Sequence, residues 1–160
     1  MKQVLEKKMM RTLKIAAALT LGLGMGANAL ADEHVIKGVI TNWVPLVTFA
    51  KPGDTIKFMQ MAGHDTESVE GMLPAGATPW KSKMGDEGFS ITVDKEGAYI
   101  YKCNPHMTTG MVGAIVVGDK APANLAELEG ALDSVKLGKN MVARTIKKTK
   151  QEIEKKGMTP

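Results

Sequence analysis

The sequence predicts an all-β sandwich followed by two α-helices. Three observations carry that prediction. Short apolar runs rich in β-branched residues recur from Val35 to Val117, turn residues separate them at intervals of roughly ten positions, and the apolar spacing becomes helical after Asp119.

The first 31 residues are expected to be a cleaved signal peptide rather than part of the fold. Lys7, Lys8, Arg11 and Lys14 precede a mainly apolar run from Ile15 to Met25, and Ala29-Leu30-Ala31 supplies the small-x-small pattern at which such leaders are cut. The run is too short to span a bilayer with margin. Residues 32–160 are then expected to form one domain, with a sandwich to about residue 119 and a helical tail over about 122–156. Export to the periplasm follows from this reading, with no membrane span once the leader is removed.

Strands are expected in order along the mature chain. Val35-Ile36, Val39-Ile40 and Val44 to Phe49 are β-branched runs interrupted by Gly38 and Pro45. Lys51-Pro52-Gly53-Asp54 is a turn, and Thr55 to Met61 alternates as a strand does. From Gly63 to Gly88 glycine and proline break the pattern, leaving only Thr78 to Met84 as a possible short helix. Strands resume at Phe89–Val93, Ala98–Cys103 and Met111–Val117. Leu125, Leu128, Leu132 and Val135 then fall at helical spacing, with Pro122 near the first turn and Gly138 as the stop signal. Val142, Ile146, Thr149 and Ile153 mark a second helix whose other face carries lysines.

The formal charge of +4 resides in the leader, where residues 1–31 hold five basic residues and one acid. The remainder is neutral overall but divided: residues 32–134 hold eight lysines against fourteen acids, and residues 135–160 hold seven lysines and one arginine against two glutamates. A basic tail can mark nucleic-acid binding, but an exported chain with so few aromatic residues is a poor fit, and no nucleic-acid partner is expected.

The chemistry is concentrated between Lys102 and Met111. Cys103 is the only cysteine, so no internal disulfide can form; outside the cytoplasm a free thiol persists when buried, paired between chains, or coordinated. His106 follows three positions later and Met111 five beyond that, while His64 lies upstream in Met61-Ala62-Gly63-His64. If the four converge, they form two nitrogen ligands, one strong sulfur and one weak sulfur, the ligand set of a blue-copper electron-transfer centre. A buried structural thiol is the bland alternative. A structural zinc site would want a stronger fourth ligand than a thioether. No further motif supports a cysteine nucleophile.

Gly63-His64, the Cys103-x2-His106-x4-Met111 loop, Pro52-Gly53-Asp54 and Gly97-Ala98-Tyr99 resemble the cupredoxins, the type 1 blue copper proteins. Met72 to Lys83, Gly118-Asp119 and the two helices narrow the resemblance to the pseudoazurin family, over nearly all of the mature chain. The resemblance implies a cupredoxin-like Greek-key β-sandwich with two C-terminal α-helices and one copper ion per chain. It implies His64, Cys103 and His106 as ligands, Met111 axial, and His106 as the electron exit. It also implies a monomer that is no enzyme, passing single electrons from a cytochrome to a copper nitrite reductase or another denitrification enzyme. An apolar patch and a lysine ring would dock that partner; Trp43, Pro105 and Met107 are candidates for the patch, and Lys37, Lys81, Lys83 and Lys102 for the ring. A copper carrier or store that hands over Cu(I) is the alternative.

Asp65 stands where this family usually has asparagine, so copper binding is expected to persist with a shifted reduction potential. Ala62 and Glu70 replace frequent lysines and thin the ring. His34 is expected to be a solvated strand residue without a redox role.

Overall fold

Asp54–Met59 shows how this chain makes strands: Asp54, Ile56 and Phe58 are buried while the residues between them are half-exposed, so one face of the segment points inward. The same logic repeats across residues 30–160, which the computed structural model describes. The expected signal peptide lies outside the described residues except for Leu30 and Ala31.

Eight strands form two four-stranded sheets. The first runs β2 (Asn42–Val44), β1 (Glu33–Val39), β4 (Asp54–Met59), β6 (Ser90–Val93); the second runs β3 (Val47–Ala50), β8 (Val112–Val117), β7 (Gly97–Lys102), β5 (Glu67–Ser68). β1 pairs with β4 in parallel and β3 with β8 in parallel, while the other neighbours are antiparallel, which requires the long crossovers of a Greek key. Helices α1 (Leu125–Gly130) and α2 (Lys139–Lys155) follow.

The second sheet is covered on both faces. One face meets the first sheet through Tyr99, Tyr101, Ile115 and Val117 against Ile36, Trp43, Ile56 and Phe58. The other meets the helices through Ala98, Ile100, Val112 and Ala114 against Leu128, Val142 and Ile146. This double burial explains why β8 reads as Val-Gly-Ala-Ile-Val-Val with every residue buried rather than alternating. Each large aliphatic side chain so buried contributes about 1.5–3 kcal/mol. Lys147, Lys148 and Lys155 lie on the exposed side of α2.

Three local expectations differ from the structure. Thr78–Met84 forms no helix; it runs extended beside β5, with the Ser68 N–H donating to the Trp80 carbonyl (3.1 Å) and the Ser82 N–H to the Thr66 carbonyl (2.9 Å), so its backbone finds partners across the chain. The first helix is shorter than its apolar spacing suggests, giving way after Gly130 to a 3-10 turn over Ala131–Ser134. Gly138 does not end that helix. With φ of 67° it precedes α2, and its carbonyl accepts from the Met141 and Val142 N–H groups.

The pole that carries the chain entry is tied by Asp54. Its carboxylate accepts from the Lys51 N–H (2.8 Å) and the Asp32 N–H (3.0 Å) and lies 2.7 Å from His34 Nε2. His34 is therefore a half-buried partner of Asp54 rather than a solvated residue. Burial works against the Asp54 charge, but the bonds from Lys51, His34 and Asp32 prevail and hold its pKa below the ordinary 3.8. A depressed folded-state pKa gives stability that is fully present above the unfolded value and is lost as pH falls through the folded one. Asp54→Asn is therefore expected to lower the urea midpoint at neutral pH. The difference from the parent should shrink as pH falls from about 4 through the lower folded-state pKa, below which the parent's side chain is neutral as well.

Candidate metal centre

Two loops at one pole of the sandwich carry the chemistry. The first leaves β4 through Gln60, with φ of 58°, and Gly63, with φ of 76°, and turns back so that the His64 N–H donates to the Met61 carbonyl at 2.8 Å. His64 is 6 % exposed. Its ring lies against β1 at Gly38, where a Cβ would stand 2.8 Å from His64 Cδ2, so a side chain there is excluded by the imidazole.

The second loop joins β7 to β8 and closes on itself. The Cys103 N–H donates to the Met111 carbonyl (2.9 Å), the Met111 N–H to the His106 carbonyl (3.0 Å), and the His106 N–H to the Cys103 carbonyl (3.3 Å). A 3-10 turn over Met107–Thr109 and Gly110, with φ of 107°, complete it. These bonds fix Cys103 at one end of the loop, His106 in its bend and Met111 at the start of the return. Met111 is fully buried in the same core cluster as Cys103.

His64 Nδ1 lies 3.7 Å and His106 Nδ1 3.5 Å from Cys103 Sγ, and the two imidazole centroids are 5.0 Å apart. The ligand atoms of His64, Cys103 and His106 all fall within 4.8 Å of one another, the one such cluster among the described residues. A metal bound to sulfur at roughly 2.3 Å and nitrogen at roughly 2.0 Å in a trigonal arrangement separates those atoms by roughly 3.7 Å. The donor set and its spacing therefore fit a copper ion. Cys103 and His64 are buried, while His106 is only half-buried, between exposed Pro105 and Thr108.

Burial lowers the pKa of His64, assisted by the neighbouring His106. Burial pushes the Cys103 thiol up, and the N–H groups of Asp65 and His106 only partly offset it. Both directions disfavour charge in a site without metal; a bound cation reverses the balance for the thiol and uses the neutral imidazole as it stands.

Two of the expected docking residues face the wrong way. Trp43 is 2 % exposed: in β2 the flanking Asn42 and Val44 point outward and Trp43 inward, where it packs on Phe58 (5.6 Å between ring centroids), Tyr101 (5.5 Å) and His64 (6.2 Å). Met107 is 3 % exposed and lies beneath the start of α2, with Met107 Cγ 2.9 Å from where a Gly138 Cβ would be. Neither side chain can meet a partner.

Apolar side chains that do reach solvent include Ile40, Met84 and Leu137, and Pro105 is exposed on the ligand loop itself. Ile40 opens the β1–β2 turn two residues after Gly38, with φ of 57°, Met84 precedes Gly85, whose N–H donates to the His64 carbonyl, and Leu137 precedes Gly138. A signal for them exists in the sequence. Met84 and Leu137 each stand directly before a glycine that turns the chain, where a large side chain has no core to fill. Of the lysines, Lys37, Lys81 and Lys83 are exposed and Lys102 is half-buried.

A family model described as copper binding proteins, plastocyanin/azurin family, matches residues 35–118. The pseudoazurin of Methylorubrum extorquens is 40% identical over 117 residues, covering 69% of this chain and 78% of that protein. The pseudoazurin of Paracoccus pantotrophus is 38% identical over 118 residues, covering 69% and 80%. The crystal structure of pseudoazurin from Methylobacterium extorquens AM1 superposes with a TM-score of 0.59 at 35% identity, covering 73% of this chain and 98% of that one. The cofactor is copper, and the chain belongs to the copper-binding plastocyanin/azurin family and, within it, to the pseudoazurins.

Proposed function

We propose that this protein is a periplasmic electron shuttle that exchanges single electrons between redox proteins, with a copper nitrite reductase or another denitrification enzyme as acceptor and a cytochrome as donor. The observation that carries the reading is the asymmetric burial of the donor set: Cys103 and His64 are sealed in the core while His106 reaches the surface. When bound, copper supplies a one-electron couple between Cu(II) and Cu(I). His64, Cys103 and His106 would hold it, with the buried Met111 thioether as a further, weaker donor.

The protein's own contribution is rigidity, exclusion of water and a short exit. The backbone bonds that close the Cys103–Met111 loop keep the ligands from rearranging when the charge changes. The Trp43 ring backs His64 from within and excludes solvent from that side. The edge of His106, with Pro105, Ile40, Met84 and Leu137 around this pole, offers an apolar contact to a partner. Lys81 and Lys83 add positive charge at its margin. The donor set is that of a one-electron centre, so the protein is proposed to carry electrons rather than to catalyse.

Stopped-flow mixing of the reduced protein with a copper nitrite reductase tests the shuttle. Oxidation should be rapid, reversible over many cycles, and accompanied by no transfer of copper; metal appearing in the acceptor would support the carrier reading instead. Lys81→Glu with Lys83→Glu is expected to slow association about tenfold at low ionic strength. That difference should fade near 0.5 M salt, as screening removes the steering.

A further inference from the structure

Asp32 is pinned from both sides just ahead of β1. Its N–H donates to Asp54 Oδ1 (3.0 Å), and its carbonyl accepts from the Thr55 N–H (2.9 Å). Leu30 and Ala31, immediately before it, are exposed and belong to no strand or helix. Ala29-Leu30-Ala31 is also the pattern after which the leader is expected to be cut, so the bond that would break joins Ala31 to Asp32. Asp54 is 3 % exposed, and among the described residues no lysine or arginine pairs with it. Its carboxylate is met by two backbone N–H groups and the His34 ring. A full positive charge on one of those donors adds a direct Coulomb attraction, strengthened where water is excluded.

We propose that Asp54 is the receptor for the amino terminus that cleavage after Ala31 releases. Water adds across the Ala31–Asp32 peptide bond, leaving a carboxylate on Ala31 and an α-ammonium on Asp32, already within hydrogen-bond distance of Asp54 Oδ1. No rearrangement is needed. The proton that Asp32 directs at Asp54 stays in place, and the new N–H bonds take up the space left by exposed Ala31. The pair borders an open cavity of about 320 Å³, whose titratable lining groups are Asp32, His34, Lys51, Asp54, Asp119 and Lys156. The Asp32 and Asp119 carboxylates favour the ammonium and Lys51 and Lys156 oppose it; His34 bonds to Oδ2, leaving Oδ1 to the terminus. β8 runs from the metal loop at Met111 to Gly118 at this cavity, so processing adds an ion pair at the far end of the sandwich. The proposal rests on the export reading above and is independent of copper.

The test starts from the protein exported by cells that express the full-length chain; its mass gives the first residue. With Asp32 first, the α-amino group is expected to hold its proton about tenfold more tightly than an unperturbed one, read from the pH dependence of the Asp32 Cα NMR shift. Asp54→Asn should return it to the ordinary value. Tighter proton binding in the folded state gives stability that is fully present below about pH 8 and is lost as pH rises through the folded value. Inserting one alanine between Ala31 and Asp32 keeps Asp54 but makes the Asp32 nitrogen an amide again, with the ammonium one residue away. That variant should have a lower urea midpoint than the parent at pH 7, and the difference should shrink above about pH 9. An unperturbed α-amino group on a chain beginning at Asp32, or equal midpoints at pH 7, overturns the ion pair alone. A mass with any other first residue also overturns the proposal, and one that retains the leader contradicts the export reading with it.

Discussion

Replacing Cys103 by serine is expected to weaken copper binding at least a hundredfold, about 2.8 kcal/mol, and to remove every spectroscopic feature that depends on a metal–sulfur bond. The argument is local. Sγ is the atom that both imidazole nitrogens approach, at 3.7 and 3.5 Å, and a serine hydroxyl in the same buried place is a poor ligand that stays protonated near neutral pH. The fold should survive, because serine is nearly isosteric and the Cys103 N–H still bonds to the Met111 carbonyl. Competition with a chelator, read alongside circular dichroism, separates lost binding from lost structure. Retention of parent affinity in a folded Cys103→Ser protein would mean that the metal is held elsewhere.

Gly113→Ala should be the most damaging single methyl addition in the sandwich. Gly113 pairs directly across the ladder with Tyr101, and a Cβ would lie 2.4 Å from both Tyr101 Cζ and Oη. The tyrosine cannot yield, since it is fully buried among Trp43, Phe58 and Trp80 at centroid distances of 5.5, 5.4 and 6.1 Å. Overpacking of this kind costs about 3 kcal/mol or more, which in a domain of this size lowers the melting temperature by roughly 10 °C. Gly130→Ala is the control: nothing stands within 4 Å of its Cβ position, and a helical alanine there should be neutral or stabilising by about 0.5–1 kcal/mol. Equal melting temperatures for the two variants would show that the Tyr101 ring has room the structure does not give it.

The sandwich and the ligand loop were legible because their signals are short-range. Alternation in β4, the unbroken apolar run of β8 and the helical spacing of Val142, Ile146 and Ile153 are each set by neighbours within one element. The Cys103–Met111 loop is likewise contained in nine consecutive residues. What escaped reading depends on which face a residue turns to distant chain. The resemblance made Trp43 a candidate for the docking patch, yet the inward face of β2 decides its place. Thr78–Met84 read as a possible helix because its extended form is imposed by β5, which lies earlier in the chain. Asn104 carried no signal at all. Its side-chain nitrogen donates to Asp65 and Glu67, which the fold brings to it from 39 and 37 positions away. The loop residues therefore indicate the metal, while the surroundings that shape its potential and its partner's footing emerge only in three dimensions.

The most direct test of the central claim is the visible absorption spectrum of the protein after one equivalent of Cu(II) is added to the metal-free form. A thiolate at Cys103 with imidazoles from His64 and His106 and the weak sulfur of Met111 should give an intense band in the visible. That band should bleach on one-electron reduction and return on reoxidation. A colourless protein with copper bound would contradict the account.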